Sequence, residues 1–209
     1  MISGYLYLLL MLLHLLWQGD CQTGEKQSPI NIVMDEAKEE SAPEKFVLEY
    51  DSAATTASVV NHGYTVHVHS FSEHAVNGLF AAMEAHFVHQ HENDNTSLAV
   101  SKVPAAVDTN MTIDSKVPPG VDTNTTIDVP ENFWTEMIDT SMGFWRYSGS
   151  LTTPACSDIV EWHVLRKAKF LSAITFMNLI AKQNTERTDN RLPEPLNGRT
   201  VTYFTNVSS

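Results

Sequence analysis

The sequence predicts a mainly β domain of the α+β type, with strands carrying the core and helix at the periphery. Three observations point there. Short runs of apolar and β-branched residues recur along the chain. Turn signals rich in Gly, Pro, Asn and Ser separate them, and only one stretch repeats its apolar residues at helical spacing. The 209 residues, 43% hydrophobic and 18% charged, suit one globular domain with an apolar core.

Gln27-Ser28-Pro29-Ile30-Asn31-Ile32 reads as a turn leading into a short strand, and Phe46 to Tyr50 as a second strand. Ser58 to Asn61, a turn at Asn61-His62-Gly63, and Tyr64 to His69 with β-branched Thr65, Val66 and Val68 predict a hairpin. Ala82 to Gln90 continues the strand pattern. Trp145-Arg146-Tyr147 leads into a Gly-Ser turn, and Ile159 to Leu165 reads as a strand. The helix is predicted over Phe170 to Lys182, with Ser172 as its N-cap and Ile174, Met177 and Ile180 on one face. The polar residues from Asn184 onward end it.

An apolar run from Tyr5 to Trp17, interrupted by His14, turns polar at Gln18, Gly19 and Asp20. It is shorter than the roughly 20 apolar residues of a membrane span. It predicts a secretory signal peptide over residues 1–19 and a domain over 20–209, a buried N-terminal helix being the alternative. The acceptor pattern for N-glycosylation occurs at Asn95, Asn110, Asn124 and Asn206, in keeping with a secreted, extracellular protein. Two cysteines, Cys21 and Cys156, are the full complement. If paired they close a long loop worth about 3–5 kcal/mol; two buried thiols are the other possibility. With 13 Lys and Arg against 25 Asp and Glu, the net charge of −12 disfavours nucleic acid or an anionic membrane surface as partner. No membrane span is expected, and the sequence leaves the oligomeric state open.

Residues 101–114 (SKVPAAVDTNMTID) recur almost unchanged as 115–128 (SKVPPGVDTNTTID). The tandem repeat has few large apolar residues and is punctuated by Pro104, Pro118, Pro119 and Gly120, which predicts an exposed insert with no catalytic chemistry of its own.

Nine histidines are present. His67 and His69 are spaced by two, so in a strand both imidazoles face the same way, and His86 on an adjacent antiparallel strand would supply a third. Three nitrogens and an open position are the layout of a catalytic zinc site, whereas a structural site is closed by four ligands. On spacing alone the pair also fits two solvent-facing polar residues. Glu84 and Val88 share a face with His86, offering a carboxylate to orient that ring and an apolar wall beside it.

The segment His67-Val68-His69-Ser70-Phe71-Ser72-Glu73-His74-Ala75-Val76-Asn77-Gly78, followed by Glu84-Ala85-His86-Phe87-Val88-His89, resembles the zinc-binding core of the α-class carbonic anhydrases of the bacterial and plant type. Gln27 to Ile32 is similar to that family's QSPINI segment, Tyr147 to Pro154 to its YSGSLTTP loop, and Pro195 to Arg199 to its PLNGR close. The four motifs occur in the family's order and span Gln27 to Arg199.

The resemblance implies a central, mostly antiparallel twisted sheet, a Zn²⁺ cofactor on His67, His69 and His86, and Glu84 supporting His86. Thr152 would accept the proton of the hydroxide on the metal while donating its own to Glu73. Val88, Leu151, Val160 and Trp162 would form the apolar pocket for CO2, with Thr153 lining the site. It also implies a Cys21–Cys156 disulfide. The implied activity is reversible hydration of CO2 to bicarbonate and a proton. The alternative is a catalytically weak or inactive secreted relative serving as a matrix or binding protein.

The sequence departs from the family in three places. The tryptophan-containing stretch before the QSPINI segment is missing. The NNGH-like turn at Asn61-His62-Gly63-Tyr64 runs straight into the His-x-His strand, where the family has about two further strands. This puts Thr65 in place of a supporting glutamine, and Tyr64 in the place of the proton-shuttling histidine of many members. Third, the repeat replaces the continuation of the strand at Leu98-Ala99-Val100. The expectation is therefore a sheet short of strands.

Overall fold

The computed structural model describes residues 19–41, 56–61, 72–81, 84–90, 97–102, 105–106, 123–128, 140–167, 170–171 and 191–205. Its centre is a six-stranded sheet made of β2 (Lys38–Ser41), β13 (Thr202–Thr205), β10 (Phe144–Gly149), β11 (Val160–Leu165), β7 (Ser97–Lys102) and β6 (Ala85–Gln90), in that spatial order. The β10–β11, β10–β13 and β6–β7 pairs are antiparallel, while β11–β7 and β13–β2 are parallel. A small sheet of β1 (Asn31–Ile32), β4 (Ala75–Val76) and β5 (Leu79–Phe80) lies apart from it in the pairing. A one-turn helix, α1 (Asp20–Thr23), precedes β1.

The register places the site. Tyr147 lies opposite Trp162, and Trp145 opposite Val164. Trp162 lies opposite Ala99, which lies opposite Val88; His86 lies opposite Ser101. Since alternate residues share a face, His86, Val88, Trp162, Val160 and Tyr147 all belong to one face of the sheet. That face meets the core of Ile30, Ile32, Trp145, Tyr147, Val160, Trp162, Val164 and Val201. Tyr147 and Trp162 stack with rings 6.4 Å apart and nearly parallel. On the opposite face Phe144 packs against Phe204 and His163, and Arg146 pairs with Glu161.

β4 and β5 are joined by Asn77-Gly78 with φ of 49° and 75°. This two-residue loop needs both central residues left-handed, which Asn-Gly supplies at least cost. The turn holds Glu73 and His74 at the mouth of β4.

Several expectations change. Phe170–Leu171, the predicted start of a helix, is a strand (β12) in parallel register with β8 (Ala105–Ala106); backbone pairing overrides the helical spacing read from Ile174 onward, and residues 172–182 lie outside the described residues. The repeat is not solely an exposed insert. β7 extends into its first copy, β8 lies within that copy, and Thr123–Asp128 of its second copy forms β9, paired antiparallel with β3 (Thr56–Asn61). Strand pairing draws on main-chain groups, so a segment poor in large side chains still takes part, and the Thr and Ile of this one suit a strand. The partner described for β3 is therefore β9; the predicted hairpin partner at 64–69, and the predicted strand at 46–50, lie outside the described residues. No helix of the described residues is long and apolar enough to cross a membrane.

Cys21 and Cys156 are joined, with α-carbons 4.9 Å apart across 135 residues of sequence, inside the range a disulfide requires. Thiol labelling of denatured, unreduced protein should modify neither cysteine, and two labelled thiols would refute the pairing. Replacing both by Ser should cost about 2–5 kcal/mol in denaturant unfolding.

Burial pushes the His163 imidazole down to about 4, with Arg146 adding to the effect. An unfolded chain titrates this group near 6.5. Between those values the unfolded state binds a proton that the folded state does not, so the stability present above pH 6.5 is lost as pH falls toward 4. His163→Phe should therefore flatten the decline, by up to about 3 kcal/mol, when unfolding free energies at pH 7 and pH 4.5 are compared. Parallel declines in parent and variant would contradict the assignment.

Candidate active site

Three short stretches converge on the sheet face that bears Trp162. Glu73 and His74 come from the lead-in to β4, Glu84 and His86 from the start of β6, and Thr152 from the loop between β10 and β11. Glu84 is the hub. Its Oε1 accepts from His86 Nε2 at 2.9 Å and meets His74 Nδ1 at 2.6 Å, while Oε2 accepts from the His74 amide at 2.8 Å. Burial opposes its ionisation, but the two histidines outweigh burial and hold the carboxyl well below the usual carboxylate range.

His74 is buried and uses both ring nitrogens, Nδ1 at Glu84 and Nε2 at the Tyr147 hydroxyl, 2.6 Å away. Tyr147 Oη continues to Ser28 Oγ at 3.0 Å. Ser28 and Ser150 bond reciprocally: Ser150 N donates to Ser28 Oγ, and Ser28 N donates to Ser150 Oγ. A chain of hydrogen bonds thus runs from the loop carrying Thr152 to the carboxylate that holds His86. Trp162 walls the cluster, its ring 4.8 Å from that of His74 and 4.9 Å from that of His86, and its Nε1 donates to Ser150 O.

Glu73 is buried as well. Burial raises its pKa, against the opposing pull of His86, the hydroxyl of Thr152 that hydrogen-bonds to it, and the Arg191 amide that donates to Oε1 at 3.3 Å. Its Oε2 is 3.6 Å from His86 Nε2. The Glu73–Thr152 pair and the Glu84–His86 pair are therefore neighbours.

His74, Glu84 and His86 together offer donors close enough for a metal ion. The donor chemistry argues against that set. Both nitrogens of His74 and both oxygens of Glu84 are engaged within the protein, so a metal there would have to displace hydrogen bonds that already satisfy these buried groups. His86 is different: Nε2 is engaged by Glu84, and Nδ1 takes no hydrogen bond from the described residues. A carboxylate on one nitrogen with the other left over is how a ligand histidine is oriented.

Of the residues singled out from the sequence, Glu73, Glu84, His86, Thr152 and Trp162 are brought together. Val160 is buried in the core and Leu151 packs against it. Thr153 is half-buried, its carbonyl accepting from the Cys156 amide. Val88 lies on the same sheet face with 61% of its surface exposed. Tyr64, His67, His69, Asn95, Asn110 and Asn206 lie outside the described residues, and of Asn124 only its place in β9 is described. Sequence reading gave no role to His74, Tyr147, Ser28 or Arg191, whose bonds to Tyr147, Ser28, Gln27 and Cys21 span 73 to 170 residues.

Gly149 lies beside this chain. A β-carbon there would collide with Ser28 Oγ and stand 2.8 Å from ring atoms of Trp162 and Tyr147. Gly149→Ala should destabilise by about 1–3 kcal/mol in denaturant unfolding; parental stability would show that the packing yields.

Comparison with known proteins agrees with the geometry. The family model for eukaryotic-type carbonic anhydrase matches residues 15–71 and 69–205, two segments that overlap at residues 69–71. A carbonic anhydrase of Neisseria gonorrhoeae is 30% identical over 203 residues, covering 87% of this chain and 78% of that protein. Alpha carbonic anhydrase 7 of Arabidopsis thaliana is 27% identical over 212 residues, covering 88% and 76%. The solved α-carbonic anhydrase of Thermovibrio ammonificans, in complex with the inhibitor sulfanilamide, matches with a TM-score of 0.76 at 25% identity, over 88% of this chain and 89% of that one.

Proposed function

The chain belongs to the eukaryotic-type carbonic anhydrase family, and we propose on that basis that it is a secreted zinc enzyme catalysing reversible hydration of CO2 to bicarbonate and a proton. The observation that carries the reading is the convergence of an oriented histidine, His86 on Glu84, with the Glu73–Thr152 pair beside it. His67 and His69, spaced by two just ahead of Glu73, would join His86 to hold the ion. Three imidazoles suit a catalytic zinc. The disulfide and the apolar leader favour an oxidising, secretory route, in which the four sequons would be available for glycosylation.

Zinc, when bound, supplies a Lewis acid that makes water a competent nucleophile near neutral pH. The chain's residues do the rest. Glu84, held anionic by its two histidines, fixes the His86 ring and raises its basicity as a ligand. Thr152 donates its hydroxyl proton to Glu73, so its oxygen is left as an acceptor. It then orients an attacking group that has a proton to give and selects against one that has none. Val88, Leu151, Val160 and Trp162 would hold CO2 by apolar contact and keep bulk water from competing, with Thr153 at the margin. The exposed Val88 would stand at the open side of that pocket. Tyr64 would stand on the proton's way out, and a phenol with a reference pKa near 10 transfers protons slowly at neutral pH.

Metal analysis after incubation with zinc should give one equivalent per chain; less than about half an equivalent would count against the site. His86→Ala should lose the metal, whereas His91→Ala, at a histidine outside the expected ligand set, should keep it. Turnover in stopped-flow CO2 hydration should climb as a small imidazole buffer is added, since an external base replaces a slow shuttle. Zinc-loaded, folded protein without activity at any buffer concentration would favour the matrix or binding-protein reading. Activity indifferent to buffer would show that Tyr64 is not limiting.

A further inference from the structure

Arg191 is linked to the Glu73–Thr152 pair by two routes, one direct and one through Gln27. Its amide donates to Glu73 Oε1. Its guanidinium is buried and turns away, into the N-terminal segment: Nη1 donates to Gln27 Oε1 at 2.8 Å and to Ser28 O at 2.7 Å, and Nη2 donates to Cys21 O at 2.8 Å, with Glu194 Oε1 3.1 Å away. Gln27 passes the connection on. Its Nε2 donates to Cys156 O at 2.9 Å and to Asp158 Oδ1 at 2.6 Å, and the Cys156 amide donates to Thr153 O. One residue therefore braces the carboxylate by its main chain and the threonine loop by its side chain.

We infer that Arg191 is a positioning residue for the hydration step, setting the placement of Thr152 against Glu73 through Gln27 and the disulfide-bonded loop; this rests on the hydratase reading above. The chemistry favours arginine. Only a guanidinium offers donors in a fixed fork wide enough for three acceptors on one strand of chain. Burying that charge is costly unless it is paired, and Glu194 together with the three oxygens of the N-terminal segment pairs it. The disulfide ties Cys21 to Cys156, and the same segment also meets the loop at Lys26, Gln27 and Ser28. A displacement of about 1 Å at a reacting group costs on the order of a hundredfold in rate, which makes a brace of this kind consequential without any contact to substrate.

The test uses full-length, zinc-loaded protein and the variants Arg191→Met, Arg191→Lys, Gln27→Leu and Thr152→Ala, with Arg191→Met also combined with Thr152→Ala. Arg191→Met should lower kcat for hydration by about tenfold or more, with KM changed less than about twofold and zinc content unaltered. Arg191→Lys, which keeps the charge but not the fork, should fall between. In the Thr152→Ala background Arg191→Met should cost little more, because both changes act on one pair. Reduction of the Cys21–Cys156 bond by dithiothreitol in the folded protein should quicken by about tenfold in Arg191→Met and in Gln27→Leu, as the tie over that bond is cut. Additive losses, an unchanged kcat, or zinc content falling in step with kcat would each overturn the inference. Should Arg191→Met fail to fold, Gln27→Leu severs the same connection and answers by the same measurements. If the zinc-loaded parent shows no hydration, the hydratase reading fails. The brace is then judged by the reduction rate alone, faster in both variants if it exists and unchanged if it does not.

Discussion

A buried carboxylate is the constraint around which the described site is built. Glu84 is 2% exposed, and an ionised carboxylate taken from water without partners would be neutralised instead. Here its two oxygens receive the His74 amide, the His74 ring and the His86 ring. The charge is retained, and with it the orientation of His86. Every further demand follows from satisfying His74, since its second nitrogen needs a partner too: Tyr147, then Ser28, then Ser150. The polar chain ends at the loop that carries Thr152, so an ionised group under β6 and a threonine beyond β10 belong to one network.

The sheet makes that network rigid. Tyr147 and Trp162 are opposite one another on β10 and β11, and their stacked rings fix the hydroxyl of one and the indole nitrogen of the other. Gly149, two residues on, has no side chain because Ser28 occupies the space. Arg199 closes the same corner, its guanidinium over the Tyr147 ring and donating to Ser148 O and Gln27 O. The QSPINI-like segment, the loop after β10 and the PLNGR-like close are thus three walls of one small volume. Their separations in sequence, from 51 to 172 residues along the bonds that join them, hide that.

What the sequence made legible was what periodicity and short motifs encode. His86 and Glu84 sit two apart at the start of a strand, and the strands at 160–165 and 85–90 follow from local pattern, whereas Trp145-Arg146-Tyr147, which reads as a lead into a turn, is the middle of β10. Two Asn-Gly pairs, at Asn77-Gly78 and Asn197-Gly198, both adopt the left-handed geometry that this dipeptide favours. What stayed hidden was non-local. Nothing near His74 says that its ring will find Tyr147, and nothing near Arg191 says that its fork will close on Cys21, Gln27 and Ser28. Phe170–Leu171 misled because apolar spacing beyond it suits a helix, while its own pairing with Ala105–Ala106 depends on a segment 65 residues earlier.

The tandem repeat shows how a fold absorbs a duplication. Within its first copy the described strand residues are Ser101–Lys102 and Ala105–Ala106; within its second they are Thr123–Asp128. Counted from the start of each copy, these are positions one, two, five and six of the first and nine to fourteen of the second, so the two sets do not overlap. Main-chain pairing with β11, β12 and β3 anchors the two ends. Because each doubling of a connection costs only about 0.6 kcal/mol in closure entropy, fourteen extra residues between such anchors weigh little against the pairing they leave in place. The face that bears His86, Trp162 and Tyr147 is held by β10, β11 and the start of β6, and among the described residues it draws on the repeat at Ser101 and Lys102, which complete β7.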